Sequence, residues 1–265
     1  VGAMPFTGWA IIKNGSRKIM LVALIAYCAV ILLFPVMPSV PLVMLVFFIE
    51  GIITGMLDVA MNAQAVMVEQ QYRKPIMTSF HALFSIGMAL GSWSGALFTD
   101  LHIHLPLHFL IISAVALVAA GWASRHLIYD QPAPALTHDG PLFRLPSASL
   151  IGIGVITFCC MLGEGAMSNW SVNFMQNVSL ATDTIASIGL SAFATAMTLG
   201  RLFGDRLRTR MGDRWMIIIG GAIAAVGLIT ALLIVQPVVT MAGFFLVGIG
   251  LSTIVPIAYS IAGNT

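Results

Sequence analysis

Arg210-Met211-Gly212-Asp213-Arg214 is a short charged turn set between two apolar runs, roughly 184–205 and 215–234. About 20 mostly apolar residues is the length an α-helix needs to cross a bilayer core. The turn therefore reads as a tight connection between two membrane spans. Working outward, six further windows meet the same test: roughly 19–36, 41–66, 77–99, 106–124, 149–173 and 238–262. Residues 1–12 read as the tail of an earlier span. The connections are short and marked by Pro, Asn, Asp or charge, as at Met37-Pro38-Ser39, Arg73-Lys74-Pro75 and Gln236-Pro237. One is longer. Tyr129 to Ser147 holds Pro132, Pro134, Pro141 and Pro146 with Asp130, Asp139 and Arg144, a linker-like composition. The expected organisation is a helical half over 1–127, a connecting loop over 128–147 and a second helical half over 148–265.

Composition agrees. Of the 265 residues, 59% are hydrophobic and 8% charged, against roughly 25% charged in a soluble domain. So few charges cannot cover a water-facing surface, so the apolar excess faces lipid. The formal net charge is +2, and the basic residues lie in short scattered groups rather than one stripe, which argues against a nucleic-acid partner. Cys28, Cys159 and Cys160 all sit in apolar runs and read as small buried hydrophobes. No signal-peptide pattern opens the chain.

Lys and Arg gather in cytoplasmic loops of membrane proteins. The twelve basic residues are Lys13, Arg17, Lys18, Arg73, Lys74, Arg125, Arg144, Arg201, Arg206, Arg208, Arg210 and Arg214. With a stub and eight spans, all of them fall on one side. A wrong span count would scatter them. The expected topology is multi-pass in the inner (plasma) membrane with both ends of the chain cytoplasmic.

The charged turn has a partner. Lys13-Asn14-Gly15-Ser16-Arg17 shares its basic-x-Gly-x-Arg pattern, 197 residues earlier, and Gly51 and Gly248 keep the same offset. Two similar halves joined by the 128–147 loop follow, the parallel-repeat plan of some transporters.

At these residues the chain resembles the major facilitator superfamily, which has two six-helix halves and a basic glycine-containing loop after the second helix of each. The second-half loop, Gly200-Arg201-Leu202-Phe203-Gly204-Asp205-Arg206 through Arg210 and Gly212, matches it. The first-half loop departs, with Ile12 where an Asp is usual, so the family's loop-locking salt bridge is not implied there. On this template the eight windows are the third to tenth helices, so the resemblance implies an all-α membrane fold of two pseudo-symmetric halves, truncated at both ends. It also implies a gating role for Gly204, Asp205, Arg206, Arg210, Gly212, Arg214, Gly15 and Arg17. A finer resemblance is to the fucose-permease-like sugar:proton symporters, carried by Leu57-Asp58-Val59-Ala60-Met61-Asn62 and by Ser79-Phe80-His81-Ala82-Leu83-Phe84-Ser85-Ile86-Gly87. It implies that Asp58 couples proton movement to sugar binding, with Asp standing where that branch has Glu.

The residues themselves point the same way. Ionisable groups inside a bilayer are costly and mark function by default. Asp58 lies mid-window with Thr54 and Asn62 one turn away on either side, one polar face for a water-filled cavity. The plainer alternative is a carboxylate that only hydrogen-bonds neighbouring helices. Glu164 lies between Gly163 and Gly165, which allow a local helix break. Asn169 and Asn173 follow one turn apart, and Trp170 offers an apolar plane for a sugar ring. Asn62, Glu164, Asn169, Trp170 and Asn173 are the substrate-binding candidates; the alternative for the Glu164 segment is an ordinary outer helix end. Glu50, eight residues before Asp58, sits at the cavity mouth or at the interface. His81 is a relay or structural. His102, His104 and His108 lack a nearby carboxylate except Asp100, and no metal is expected. Gly87, Gly91 and Gly95, with Gly51 and Gly55, form small-residue ridges suited to close helix packing.

No Gly-x4-Gly-Lys-Ser/Thr loop is present, so an ATP-driven pump is not supported. No catalytic constellation stands out, and an enzyme is not expected. The expectation is a monomeric, cofactor-free secondary transporter in a lipid bilayer, moving a sugar or similar small polar solute with protons. A drug or metabolite exporter of the same superfamily is the alternative, disfavoured by Gly91-Ser92 where an antiport-type Gly-Pro would stand.

Overall fold

The computed structural model describes residues 4–130 and 147–264, leaving aside the side chains at 92 and 96. All regular structure among them is helical: α1 (Met4–Asn14), α2 (Ser16–Ile31), α3 (Val40–Tyr72), α4 (Met77–Asp100), α5 (Leu105–Ala123), α6 (Ala148–Asn177), α7 (Asp183–Met211), α8 (Asp213–Leu233), α9 (Pro237–Leu251) and α10 (Ile254–Ala262). Eight stretches of these residues are long and apolar enough to cross a membrane. Most of the loop expected over 128–147, with Pro132, Pro134, Asp139, Pro141, Arg144 and Pro146, lies outside the described residues.

The helix bounds follow from local chemistry. α3 runs six residues beyond its apolar window, because Met67 and Val68 continue it and Glu69 to Tyr72 is polar but helix-compatible. It stops where Arg73 takes a left-handed φ of 55° and Pro75 follows. Ser147 Oγ and Thr182 Oγ1 cap α6 and α7 by accepting from Leu150 N and Ile185 N. Gln236 Oε1 does the same for α9 from Val239 N, with Pro237 opening the helix.

Two expectations are corrected here. The glycines around Glu164 do not break the helix; α6 is continuous over 30 residues, and the first-turn cap and unbroken ladder outweigh the freedom of Gly163 and Gly165. The last window is not one helix. α9 ends at Leu251 and α10 begins at Ile254, because Pro256 has no N–H to give the Ser252 carbonyl.

The chain divides into two compact units, Val1–Gln71 with Ala89–Phe143, and Tyr72–Met88 with Arg144–Thr265. The first turns of α4 thus belong to the second unit. In the first unit, α2 packs on α1 and α5. In the second, Met167, Met175, Phe193, Met197, Phe244 and Val247 form the core among α6, α7 and α9. Packing, rather than water exclusion, holds such bundles in lipid. α8 and α9 approach through two glycine pairs. A Cβ on Gly227 would lie 2.6 Å from the Gly243 carbonyl oxygen, and one on Gly250 would lie 2.4 Å from that of Gly220. The ridges expected on α3 and α4 do not pack this way. A Cβ at Gly51, Gly87 or Gly91 meets nothing within 4 Å, and at Gly55 and Gly95 only ordinary contacts near 3.9 and 3.8 Å. Cys159, expected inside, is exposed, while Cys28 and Cys160 are buried.

The two turns paired by sequence have one backbone conformation. Gly15 has φ 82°, ψ 148° and Gly212 has φ 77°, ψ 161°, a region essentially restricted to glycine. Each ends one helix and starts the next. Gly51 and Gly248 are not alike: Gly51 is open, whereas a Cβ on Gly248 would lie 2.5 Å from the Phe193 carbonyl oxygen.

Candidate functional site

The mid-span acids of the first unit lie on α3. Glu50, Thr54, Asp58 and Asn62 succeed one another at four-residue steps, so they form one stripe. They pair within it. Thr54 Oγ1 donates to Glu50 Oε1 at 2.7 Å. Asn62 Nδ2 donates to Asp58 Oδ1 at 3.0 Å and to the Asp58 carbonyl at 2.9 Å. Asn62 is buried and Asp58 half-buried. Thr54 therefore serves Glu50 rather than Asp58. Two carboxylates thus each take a donor from the residue one turn further on. Such a carboxylate–amide pair can bind a proton or hydrogen-bond a hydroxyl.

In the second unit the stripe of α6 that packs inward is Cys160, Met167, Ser171 and Met175, with Glu164 half-buried beside it. Asn169, Trp170 and Asn173 are exposed on other faces; Trp170 is 67% exposed. Five residues separate Glu164 from Asn169, about 140° of turn. The structure therefore does not bring Glu164 together with the two asparagines, and the Asn169 amide donates to its own helix, at Gly165 O. Glu164 instead meets a partner that sequence reading had counted among the loop cations. Arg201 lies inside α7, 6% exposed, with Nη2 3.1 Å from Glu164 Oε1 and Nη1 2.8 Å from Ser85 Oγ on α4. Its mid-helix placement, ten residues before the end of α7, was the available signal.

One turn on, Asp205 clamps the start of α4. Its Oδ1 accepts from Thr78 N at 3.0 Å and Thr78 Oγ1 at 2.5 Å, its Oδ2 from Ser79 N at 2.8 Å and Ser79 Oγ at 2.5 Å. The first N–H groups of a helix have no partner within it and carry partial positive charge, so a carboxylate there is both hydrogen-bonded and favourably placed. Gly204 permits this. A Cβ there would lie 2.5 Å from Thr78 Cγ2 and 2.7 Å from Thr253 Cγ2. His81, one turn into α4, stacks on Tyr259 with ring centroids 6.1 Å apart.

The remaining turn residues divide in role. Arg208 is buried and forks onto Asp213, Nε to Oδ1 at 2.6 Å and Nη2 to Oδ2 at 3.0 Å, while Nη2 also reaches Ser260 Oγ. Arg206, Arg210 and Arg214 are exposed. Around Gly15, Asp130 accepts from Ser16 N at 2.5 Å and Arg17 N at 3.3 Å. Arg17 Nη2 donates to Ser124 O, and Gln64 ties Ser16 Oγ to the Ile128 backbone. Burial alone would raise the Asp130 carboxyl; the hydrogen bonds from Ser16 and Arg17 outweigh it and hold the group below the usual carboxylate range. The first turn thus has a lock that the family pattern did not imply, and nothing near Gly15 in sequence announces it.

An apolar cleft of about 240 Å³ lies among α7, α8 and α9, lined by Leu199, Phe203, Leu207, Ile219 and Ile223 among others. It has no charged group. Among the described residues no three His, Cys, Asp or Glu side chains converge as a metal site would need.

The sequence profile of the Major Facilitator Superfamily matches residues 1–265. The chain is 36% identical over 265 residues to an uncharacterised MFS-type transporter of Yersinia pestis, covering 99% of this chain and 67% of that protein. It is 30% identical over 260 residues to the transporter y4wD of Sinorhizobium fredii, covering 97% and 68%. It is 29% identical over 261 residues to the membrane protein MosC of Rhizobium meliloti, covering 98% and 63%. The chain thus spans about two thirds of the length of these relatives. With eight membrane-length apolar stretches and a profile match from end to end, the chain is a multi-pass membrane protein that belongs to the Major Facilitator Superfamily of transporters.

Proposed function

We propose that the protein takes up a sugar or similar small polar solute with protons, by alternating access across the inner membrane. Family membership supports transport. The observation that carries the finer reading is the Asp58–Asn62 pair, a carboxylate in mid-span with an amide donor on Oδ1. Charge in a bilayer is costly enough that such a group is retained for use. Asp58 takes the proton, and Asn62 beside it offers its amide to the solute. On α6, Asn169, Trp170 and Asn173, on other faces than Glu164, are further candidates for solute contact, and Glu164 serves through its pair with Arg201. The likeness of Leu57 to Asn62 to the fucose-permease-like branch supports a sugar over other solutes. The halves 1–127 and 148–265 are the moving bodies, monomeric in lipid, with both ends of this chain and all the basic connections cytoplasmic. The Asp205 clamp on Thr78 and Ser79 is the gate element of this scheme.

The test is uptake of a panel of labelled sugars into vesicles holding the protein, with an imposed proton gradient, for wild type and Asp58→Asn. Accumulation by wild type, with exchange but no accumulation by the variant, is the expected result. If no sugar moves, or if the variant accumulates as wild type does, the coupling role of Asp58 is wrong and export of another solute becomes the better reading.

A further inference from the structure

Arg201 and Asp205 stand one turn apart on α7, and each grips α4. Asp205 holds the first turn at Thr78 and Ser79, and Arg201 reaches Ser85. The counter-charge of Arg201 is Glu164, through one contact, and the Glu164 side chain is 33% exposed against 7% for Arg201. The cation is therefore buried, while a third of its anion's side chain is exposed. The Arg201 Nε lies buried with no hydrogen-bond partner, so the guanidinium is not fully tied down where it is. A buried cation without a counter-charge is strongly unfavourable. Asp205 is the next carboxylate along α7, and side chains four residues apart on a helix are neighbours.

We infer that Glu164 is a second proton-responsive point of the transporter: when protonated it releases Arg201, which draws Asp205 away from the α4 N-terminus and opens the clamp. This rests on the proton-coupled reading proposed above. In the step, one proton adds to the Glu164 carboxylate, its ion pair with Arg201 is lost, and an Arg201–Asp205 pair replaces the Asp205 hydrogen bonds to Thr78 and Ser79. No covalent bond other than the O–H changes. The ionisable groups around Glu164 are Arg201 and Asp205 from α7, His81 from α4, Tyr259 from α10 and Cys160 on α6 itself; α9 carries none. His81 is the rival, because its Nε2 is also buried without a partner.

The test is hydrogen–deuterium exchange of the α4 amides Thr78 and Ser79 in lipid nanodiscs, corrected for the intrinsic pH dependence of exchange. Glu164→Gln mimics the protonated acid and is expected to speed their exchange about tenfold at neutral pH. Adding Arg201→Met removes the uncompensated cation and is expected to restore wild-type protection, which a merely structural role for Glu164 does not predict. Wild type should come to resemble E164Q on acidification, while E164Q/R201M stays flat; that comparison carries the test if the single variant does not fold. Unchanged exchange in E164Q, or no restoration in the double variant, overturns the inference. So does a pH response that survives in E164Q/R201M and vanishes in His81→Asn, which would name His81 as the sensor. Exchange needs neither solute nor gradient, so proton-independent uptake would sink the coupling reading while leaving this result to stand or fall by itself.

Discussion

The turns at Gly15 and Gly212 share a backbone conformation and a place in the repeat, yet they are fastened by different means. Gly212 is held by its own neighbourhood: Arg208, four residues before it, forks onto Asp213, immediately after it. Gly15 has no acid nearby, and the carboxylate that caps the following helix comes from Asp130, more than a hundred residues on. At the 197-residue offset, Asp213 corresponds to Ser16 and Asp205 to Gly8. Both acids of the second turn are therefore absent from the first, and a remote one supplies the charge. Equal backbone geometry does not require equal chemistry; the left-handed glycine is the invariant, and the anion can arrive from any element that ends nearby.

The comparison breaks most readily at the glycines. Gly15→Ala places a methyl 2.8 Å from the Asp130 carbonyl oxygen in a backbone region alanine avoids, whereas Gly212→Ala meets nothing within 4 Å and bears backbone strain alone. The expected losses are about 3 kcal/mol or more for the first and about 1–2 kcal/mol for the second, read as a larger fall in melting temperature in detergent. Equal falls would mean that the Asp130 contact yields freely.

Asp213→Ala comes next. It leaves the buried Arg208 guanidinium without its carboxylate, but Asp213 is itself 37% exposed, so water screens the pair. The expected cost is roughly 1–2 kcal/mol, below that of breaking a fully buried pair. Ser16→Asp in the same background, an acid at the corresponding place of the other turn, should not restore it.

Asp130→Asn tests the remote fastening, with an expected cost of about 1 kcal/mol at neutral pH, the size of a lost helix cap. Its pH signature has a definite sign. The folded-state carboxyl is depressed, so its contribution is complete above the ordinary carboxylate value and is lost as pH falls through the lower folded one. Wild type should therefore lose stability on acidification relative to D130N, and the two should converge in strong acid. Parallel curves would show that the hydrogen bonds to Ser16 and Arg17 contribute nothing.

Ile12→Asp is the smallest expected effect. The residue is 63% exposed, and an acid in the last turn of α1 opposes the helix dipole by a few tenths of a kcal/mol. A large stabilisation would mean that the usual family acid can rival Asp130 in fastening the first turn.

The spans were legible in the sequence because each is a sustained apolar window bounded by Pro, Gly or charge, and the Gly15–Gly212 repeat because φ near 80° admits little else. The break between α9 and α10 was written in Pro256 and passed over within a strongly apolar run. Pairings were not legible. Arg201 finds Glu164 and Ser85 across 37 and 116 residues, and as an arginine near a basic turn it read as one more loop cation. The ridge on α4 had the right spacing and no close neighbour, since a small-residue pattern states what a surface permits and leaves open what comes to it.

The glycine pairs between α8 and α9 have a mechanical consequence. With main chains this close at two levels, a relative slide of even a fraction of a turn would drive Cα hydrogens into carbonyl oxygens. The two helices are therefore one stiff plank. Compliance in that part of the molecule is displaced to Ser252 and Thr253, where proline has removed a strut from the ladder.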